Sequence, residues 1–225
     1  MSEITVYGLS VSPFVRKVMV VCAEKGLNAQ NISISPRSIP DELKVHSPLS
    51  KIPFAQIRGK WLADSSIICQ YIEAIEPSPS LYPADAYDRA RALWFEEYID
   101  SGAIPNVRQI TFQRLVNPLL LGVPSDESVV AETVANDLPP LLDYLEGEIG
   151  DREFYVGDQL SIADIAVASF LANIMHARVD LDAARWPNVV RHRDAMWQRP
   201  SFAKLIEQET HTLKALADQA AAAAS

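Results

Sequence analysis

The feature that most restricts how this chain can fold is a change of pattern across "PSPSLYPAD", residues 77–85. Before it, short β-type runs alternate with helical ones; after it, no convincing strand occurs. The stretch itself carries three prolines and no hydrophobic period. Proline fixes φ and offers no N–H, so such a stretch reads as a linker between two folding units. A chain of 225 residues with 48% hydrophobic content can build a core on each side of it. The expected division is an α/β domain over 1–77 and an all-helical domain over 86–225.

In the first unit, "ITVYGL" (4–9) reads as a strand and Pro13 to Lys25 as a helix closed by Gly26. "AQNISIS" (29–35) is a second strand, followed by a Pro-flanked loop and a short helix near "DELKVHS". "FAQIRG" and "KWLAD" form a hairpin around Arg58-Gly59-Lys60. "SSIICQYIEAIE" (65–76) is an amphipathic helix. Two strands joined by a helix favour a right-handed parallel unit, to which the hairpin adds antiparallel strands. The second unit reads as helices over 86–117, 126–148, 162–178, 187–197 and 200–218, with a fraying tail "ADQAAAAAS". In "LSIADI" (160–165), Ser161 and Asp164 form a capping box, and Leu160 with Ile165 a hydrophobic staple. Asp164 is therefore read as a helix cap rather than a catalytic carboxylate.

Charge and composition remove several functions. A net charge of −9 and a sequence pI near 4.9 lack the basic face that nucleic acid requires. The apolar run "VMVVCA" is far too short to span a bilayer, and "MSEITVYGLS" lacks the build of a signal peptide. Two cysteines, Cys22 and Cys69, both within helical patterns, suit buried thiols in a reducing cytoplasm. The "NIS" sequon at Asn31 is then a chance match. His46, His176, His192 and His211 lack metal-ligand spacing with one another or with cysteine, so no metal is expected.

Three stretches carry chemistry. In "LSVSPFVRKV" (9–18), Ser12 precedes Pro13 at a helix start, a strong N-cap and N1 pair. A capping serine accepts a backbone N–H and keeps its hydroxyl hydrogen free to donate. Capping and catalysis are compatible, since the helix terminus also favours an anion there, and the local sequence leaves both open. In "SKIPFAQI" (50–57), Ile52-Pro53 stands before a strand, where the backbone can turn towards a ligand. In "ADSSIICQYI" (63–72), Asp64, Ser65 and Ser66 open another helix, as caps or as partners for a carboxylate and an amine.

Together "SPFVRKV", "KIPF", "DSSIICQYI" and "GDQLSIADIAVAS" resemble the glutathione transferase family over the whole chain. The "SPF" opening looks most like its serine-type members, including the tau class and bacterial relatives. The resemblance implies a thioredoxin-like N-terminal domain, glutathione as co-substrate and a homodimer built through 65–76 and 86–117. By position, Ser12 would stabilise the glutathione thiolate. Ile52, before a cis-Pro53, would pair its backbone with the cysteinyl amide. Lys51, with His46, would face the glycyl carboxylate, and Asp64 and Ser65 would take the γ-glutamyl groups. Ser10 and Tyr7 are the other thiol-donor candidates. Members with cysteine at the Ser12 position work by disulfide exchange, which this chain is not expected to do. A hydrophobic electrophile would lie between the domains beside "ALWFEEYIDSG", with Trp94 and Tyr98 on one helix face; structural core is the other reading for that pair. Two further functions are compatible with the resemblance: a non-catalytic interaction protein of the same fold, and glutathione-dependent peroxide reduction.

Overall fold

A computed structural model describes residues 3–224, with side chains described through residue 222. The N-terminal unit runs β1 (Ile4–Tyr7), α1 (Pro13–Glu24), β2 (Ala29–Ile32), α2 (Asp41–Lys44), β3 (Phe54–Ile57), β4 (Lys60–Ala63) and α3 (Ser65–Ile75). The strands form one sheet in the order β2-β1-β3-β4, with β1 parallel to β2 and antiparallel to β3, and β3 antiparallel to β4. The register sets Ile4 opposite Ile57 and Val6 opposite Ala55, and all four are buried. Because side chains alternate along a strand, this pairing puts one apolar face under α1 and α3. The element order is the one the sequence predicts.

Local chemistry accounts for the boundaries. After α1, Gly26 takes φ +67, its N–H donates to Ala23 O (3.0 Å), and Leu27 N–H donates to Cys22 O (2.8 Å). That pair of bonds is a Schellman closure, which satisfies two otherwise orphaned carbonyls. The hairpin turn is tighter than the three residues expected. Arg58 and Gly59 have φ +48 and +78, while Lys60 already pairs with Ile57. Two positive φ values match the twist of the strands they join.

The C-terminal unit opens with one continuous helical run: α4 (Ala86–Glu97), a π-helical stretch Tyr98–Ala103, α5 (Ile104–Thr111) and a second π-helical stretch Phe112–Leu121. It passes the expected end at 117 and stops at Gly122, φ +64. Pro118 lies inside the second stretch, where the wider turn accommodates a residue that cannot donate. The single helix expected over 126–148 is two, α6 (Glu127–Asn136) and α7 (Leu138–Ile149). Pro139 and Pro140 are the reason: their rings and missing N–H groups forbid a continuous ladder, yet are tolerated in a first turn. Then follow α8 (Ile162–His176), α9 (Pro187–Trp197) and α10 (Pro200–Ala224), the last continuing through the tail expected to fray.

Helix α8 is buried from Ile162 to Ile174 and forms the centre of the molecule, packed on α1, α4 and α9. Its start is as read from sequence: Asp164 accepts from Ser161 N–H (2.9 Å). Asp164 also accepts from Tyr155 N–H (2.9 Å) and lies 3.0 Å from His192 Nε2, so the cap additionally holds α9 and the preceding loop. Among the described residues no helix is long and apolar enough to cross a membrane, and no cluster of His, Cys, Asp or Glu could hold a metal.

Candidate functional site

At the C-terminal end of β1, an inner strand of the sheet, the turn into α1 packs against Ile52. Gly8 follows β1 with φ +150, and a Cβ there would lie 2.6 Å from Val15 Cγ2 and 3.0 Å from Ile52 Cβ. Only glycine allows α1 and the 47–53 loop to close on this strand end. Asn31 fastens the same point, donating from Nδ2 to Val6 O and Gly8 O, both at 3.0 Å. Asn31 is thus a structural amide.

Ser12 is the N-cap residue of α1, with extended backbone (φ −71, ψ 129). Its N–H donates to Leu9 O (3.0 Å) and its carbonyl accepts from Arg16 N–H (2.9 Å). Its side chain makes no cap bond, contrary to the local rule for serine at this position. The hydroxyl therefore stands at a positive helix terminus without a capping duty. Tyr7 stands opposite Phe54 in the register, and its ring stacks on that residue at 5.0 Å and 2°. Ser10 lies in the 8–12 loop, lining a groove between α1 and α10 with Arg16 and Glu209.

The Ile52–Pro53 bond is cis. Among the described residues the Ile52 backbone, just before β3, enters no turn, loop or cap hydrogen bond. The loop is closed by Ser47, which the sequence reading passed over: its Oγ donates to Lys51 O (2.6 Å) and accepts from Lys51 N–H (3.1 Å). Lys51 itself is exposed. His46 lies flat on Trp61 of β4, ring centroids 3.8 Å apart and 4° from parallel, which fixes it beside this loop.

Asp64 is exposed with φ +79, and Oδ1 accepts from Ser66 N–H (2.9 Å) and Ile67 N–H (3.3 Å), so it caps α3. Ser65 is buried. Ser66 joins an interdomain cluster: Lys17 Nζ donates to Ser66 Oγ (3.1 Å) and to Glu96 Oε1 (2.7 Å), and pairs with Asp100. Burial by itself would lower the Lys17 pKa, but the Asp100 and Glu96 carboxylates outweigh it and hold the amine charged. These three partners were missed because they lie 49 to 83 residues from Lys17.

Trp94 and Tyr98 do share a face, but it is the face towards α7. Trp94 Nε1 donates to Tyr144 Oη (2.8 Å), and the Tyr98 ring lies 4.5 Å from that of Tyr144. Two residues further along the helix, Glu96 and Asp100 are the ones that reach α1. A 3.6-residue repeat puts Trp94 and Glu96 on nearly opposite sides of α4. The helix meets the N-terminal unit again at Phe112, where the Arg37 guanidinium lies 5.6 Å above the ring. Both cysteines are buried and free, and burial pushes the Cys22 thiol up to about 12. Neither is an available nucleophile.

A small sheet with a cis-proline strand entry, followed by a helical unit around one buried helix, defines a thioredoxin-like domain joined to an all-helical one. The chain belongs to the glutathione S-transferase family: residues 6–80 match its N-terminal domain and residues 104–200 its C-terminal domain. It is 31% identical to glutathione S-transferase 3 of Zea mays over 215 residues, 92% of this chain and 94% of that one. Among solved structures, a glutathione S-transferase from Rhodospirillum rubrum superposes with TM-score 0.82 at 25% identity, covering 90% of this chain and 91% of that one. One from Methylobacterium radiotolerans, in complex with glutathione sulfonate, gives TM-score 0.74 at 28% identity, covering 90% and 94%.

Proposed function

We propose that the chain is a glutathione transferase that joins the glutathione thiolate to a small hydrophobic electrophile, with Ser12 as the thiolate donor. The observation that carries this reading is the uncommitted Ser12 side chain at the N-terminus of α1. A free thiol titrates at about 8.5, so little thiolate exists at neutral pH. A hydroxyl donor and a helix terminus stabilise the anion by roughly 2–3 kcal/mol, or about two pKa units. Thiolate then becomes the majority species, and holding the electrophile beside it supplies the rest through proximity.

The remaining contacts follow the tripeptide. The Ile52 backbone next to Pro53, outside any turn, loop or cap bond, suits the cysteinyl amide; Lys51 and His46 suit the glycyl carboxylate; Asp64 and Ser65 suit the γ-glutamyl amine and carboxylate. For the electrophile we favour the wall formed by Arg37 and Phe112 over the Trp94 and Tyr98 face, because the latter pair makes its polar and ring contacts with α7. A homodimer suits the exposed apolar residues Ile67 (50%) on α3 and Tyr87 (72%) and Trp94 (47%) on α4, the two helices expected at the interface.

The test is retention on immobilised glutathione together with conjugation of a generic aryl halide. A folded protein that neither binds glutathione nor turns over would favour the interaction-protein reading instead.

A further inference from the structure

The groove that Ser10 lines opens onto a buried polar network that glutathione chemistry does not require. Arg16, one turn along α1 from Ser12, is 1% exposed, as is Glu209 of α10. Arg16 Nε donates to Glu209 Oε1 (2.9 Å) and Oε2 (3.0 Å), and Nη2 to Oε2 (2.6 Å). Its Nη1 donates to Ser169 O (2.6 Å) and Asn173 Oδ1 (2.7 Å) on α8. His176 Nε2 lies 2.8 Å from Glu209 Oε2. A guanidinium taken fully out of water survives only with such complete pairing.

The network determines which way one amide points. Arginine only donates, so the Asn173 oxygen must face it. The Asn173 nitrogen is thereby turned towards the β1–α1 loop, where it donates to Val11 O at 3.1 Å. Among the described residues this is the side-chain bond that reaches the 8–12 loop from the helical domain; Asn31 holds the loop from the sheet side. Val11 directly precedes Ser12.

We propose that Asn173 is a positioning residue for Ser12: oriented by the Arg16–Glu209 pair, it fixes the Val11 carbonyl and with it the hydroxyl one residue on. The proposal rests on Ser12 serving the glutathione thiol. A donor displaced by even about 1 Å loses much of its effect on a reacting group. The helical domain would thus set thiol reactivity without touching glutathione.

Asn173→Asp tests it with little change in volume. One carboxylate oxygen keeps the Arg16 contact, while the other confronts the Val11 carbonyl with no hydrogen to offer. The bound thiol should titrate about one pH unit higher and turnover fall about tenfold, with glutathione affinity held within about twofold. Asn173→Leu and Glu209→Gln, which remove the amide or loosen its orientation, should move the titration the same way. In a Ser12→Ala background none of the three should shift it further. An unmoved titration in the folded variants, or an equal shift without Ser12, overturns the proposal. Amide hydrogen exchange over residues 9–16, measured without ligand, gives a separate reading. It should rise in Asn173→Asp and Asn173→Leu, and unchanged exchange also overturns the proposal. If wild type shows no depressed thiol titration, the glutathione reading fails, while the exchange measurement still decides whether Asn173 holds the loop.

Discussion

Lys17 Nζ of α1 lies 2.7 Å from Glu96 Oε1 of α4, both side chains almost fully buried, so an ion pair bridges the two domains inside the molecule. Removing one partner leaves the other's charge without compensation in a dry site. Lys17→Met should cost about 3–5 kcal/mol of stability, read as a lower denaturant midpoint at unchanged slope. Adding Glu96→Leu should restore part of that loss. A Lys17→Met protein as stable as wild type would show that the pair contributes nothing.

Ser12 separates capping from chemistry. Because its side chain makes no cap bond, Ser12→Ala should cost only a few tenths of the usual kcal/mol or so for a lost cap. Turnover should nevertheless fall about tenfold or more as the thiol pKa rises by a unit. Ser12→Asp should stay as stable as wild type and repel the thiolate, shifting the ultraviolet titration of bound glutathione to higher pH. Normal turnover with an unshifted titration would transfer the role to Ser10.

Asp64 has two duties. It caps α3 and would bind the γ-glutamyl amine, so Asp64→Ala should lose about 1 kcal/mol of stability as well as affinity. Asp64→Asn keeps an acceptor for the cap and should lose mainly affinity. Calorimetry should show Asp64→Asn and Ser65→Ala each weakening glutathione binding by about tenfold or more. Unchanged affinity in folded proteins removes both from the site.

Glu24 on α1 pairs with Arg199 at the start of α10, Oε1 to Nε and Oε2 to Nη2, both at 2.8 Å. Burial would raise the Glu24 carboxyl, but hydrogen bonds from Arg199 and Ser201 outweigh it and hold it below its ordinary value. A carboxyl with a depressed folded pKa stabilises above its unfolded pKa and loses that contribution as pH falls through the folded one. Glu24→Gln should therefore be less stable than wild type at pH 7 by about 1 kcal/mol, given the partial exposure of Arg199. The gap should close as the pH falls below about 4, as thermal melts across pH would record.

The dimer reading is tested on α3 and α4. Light scattering at micromolar concentration should give about twice 25 kDa for wild type, and Ile67→Glu or Tyr87→Glu should lower it, since a twofold interface presents each change twice. A wild-type particle of monomer mass would remove the homodimer.

What could be read from the sequence alone is what acts within a few residues. The Schellman closure at Gly26, the capping box at Ser161 and Asp164, a hairpin between β3 and β4 and the change from an α/β to an all-helical unit all follow from local backbone and hydrophobic patterns. So does the placement of Ser12 at a helix start. Whether its hydroxyl caps that helix was not local: the rule for a serine before proline at a helix start favours a cap bond, and the fold shows none. The direction of the Trp94 and Tyr98 face was equally out of reach: helical spacing groups residues on a face but does not say what the face meets. Lys17 with Glu96, and Arg16 with Glu209, stand 79 and 193 residues apart. On their own helices these residues read as ordinary surface charges. Only tertiary packing buries them, and burial is what turns a charge that water would satisfy into one that must find a partner.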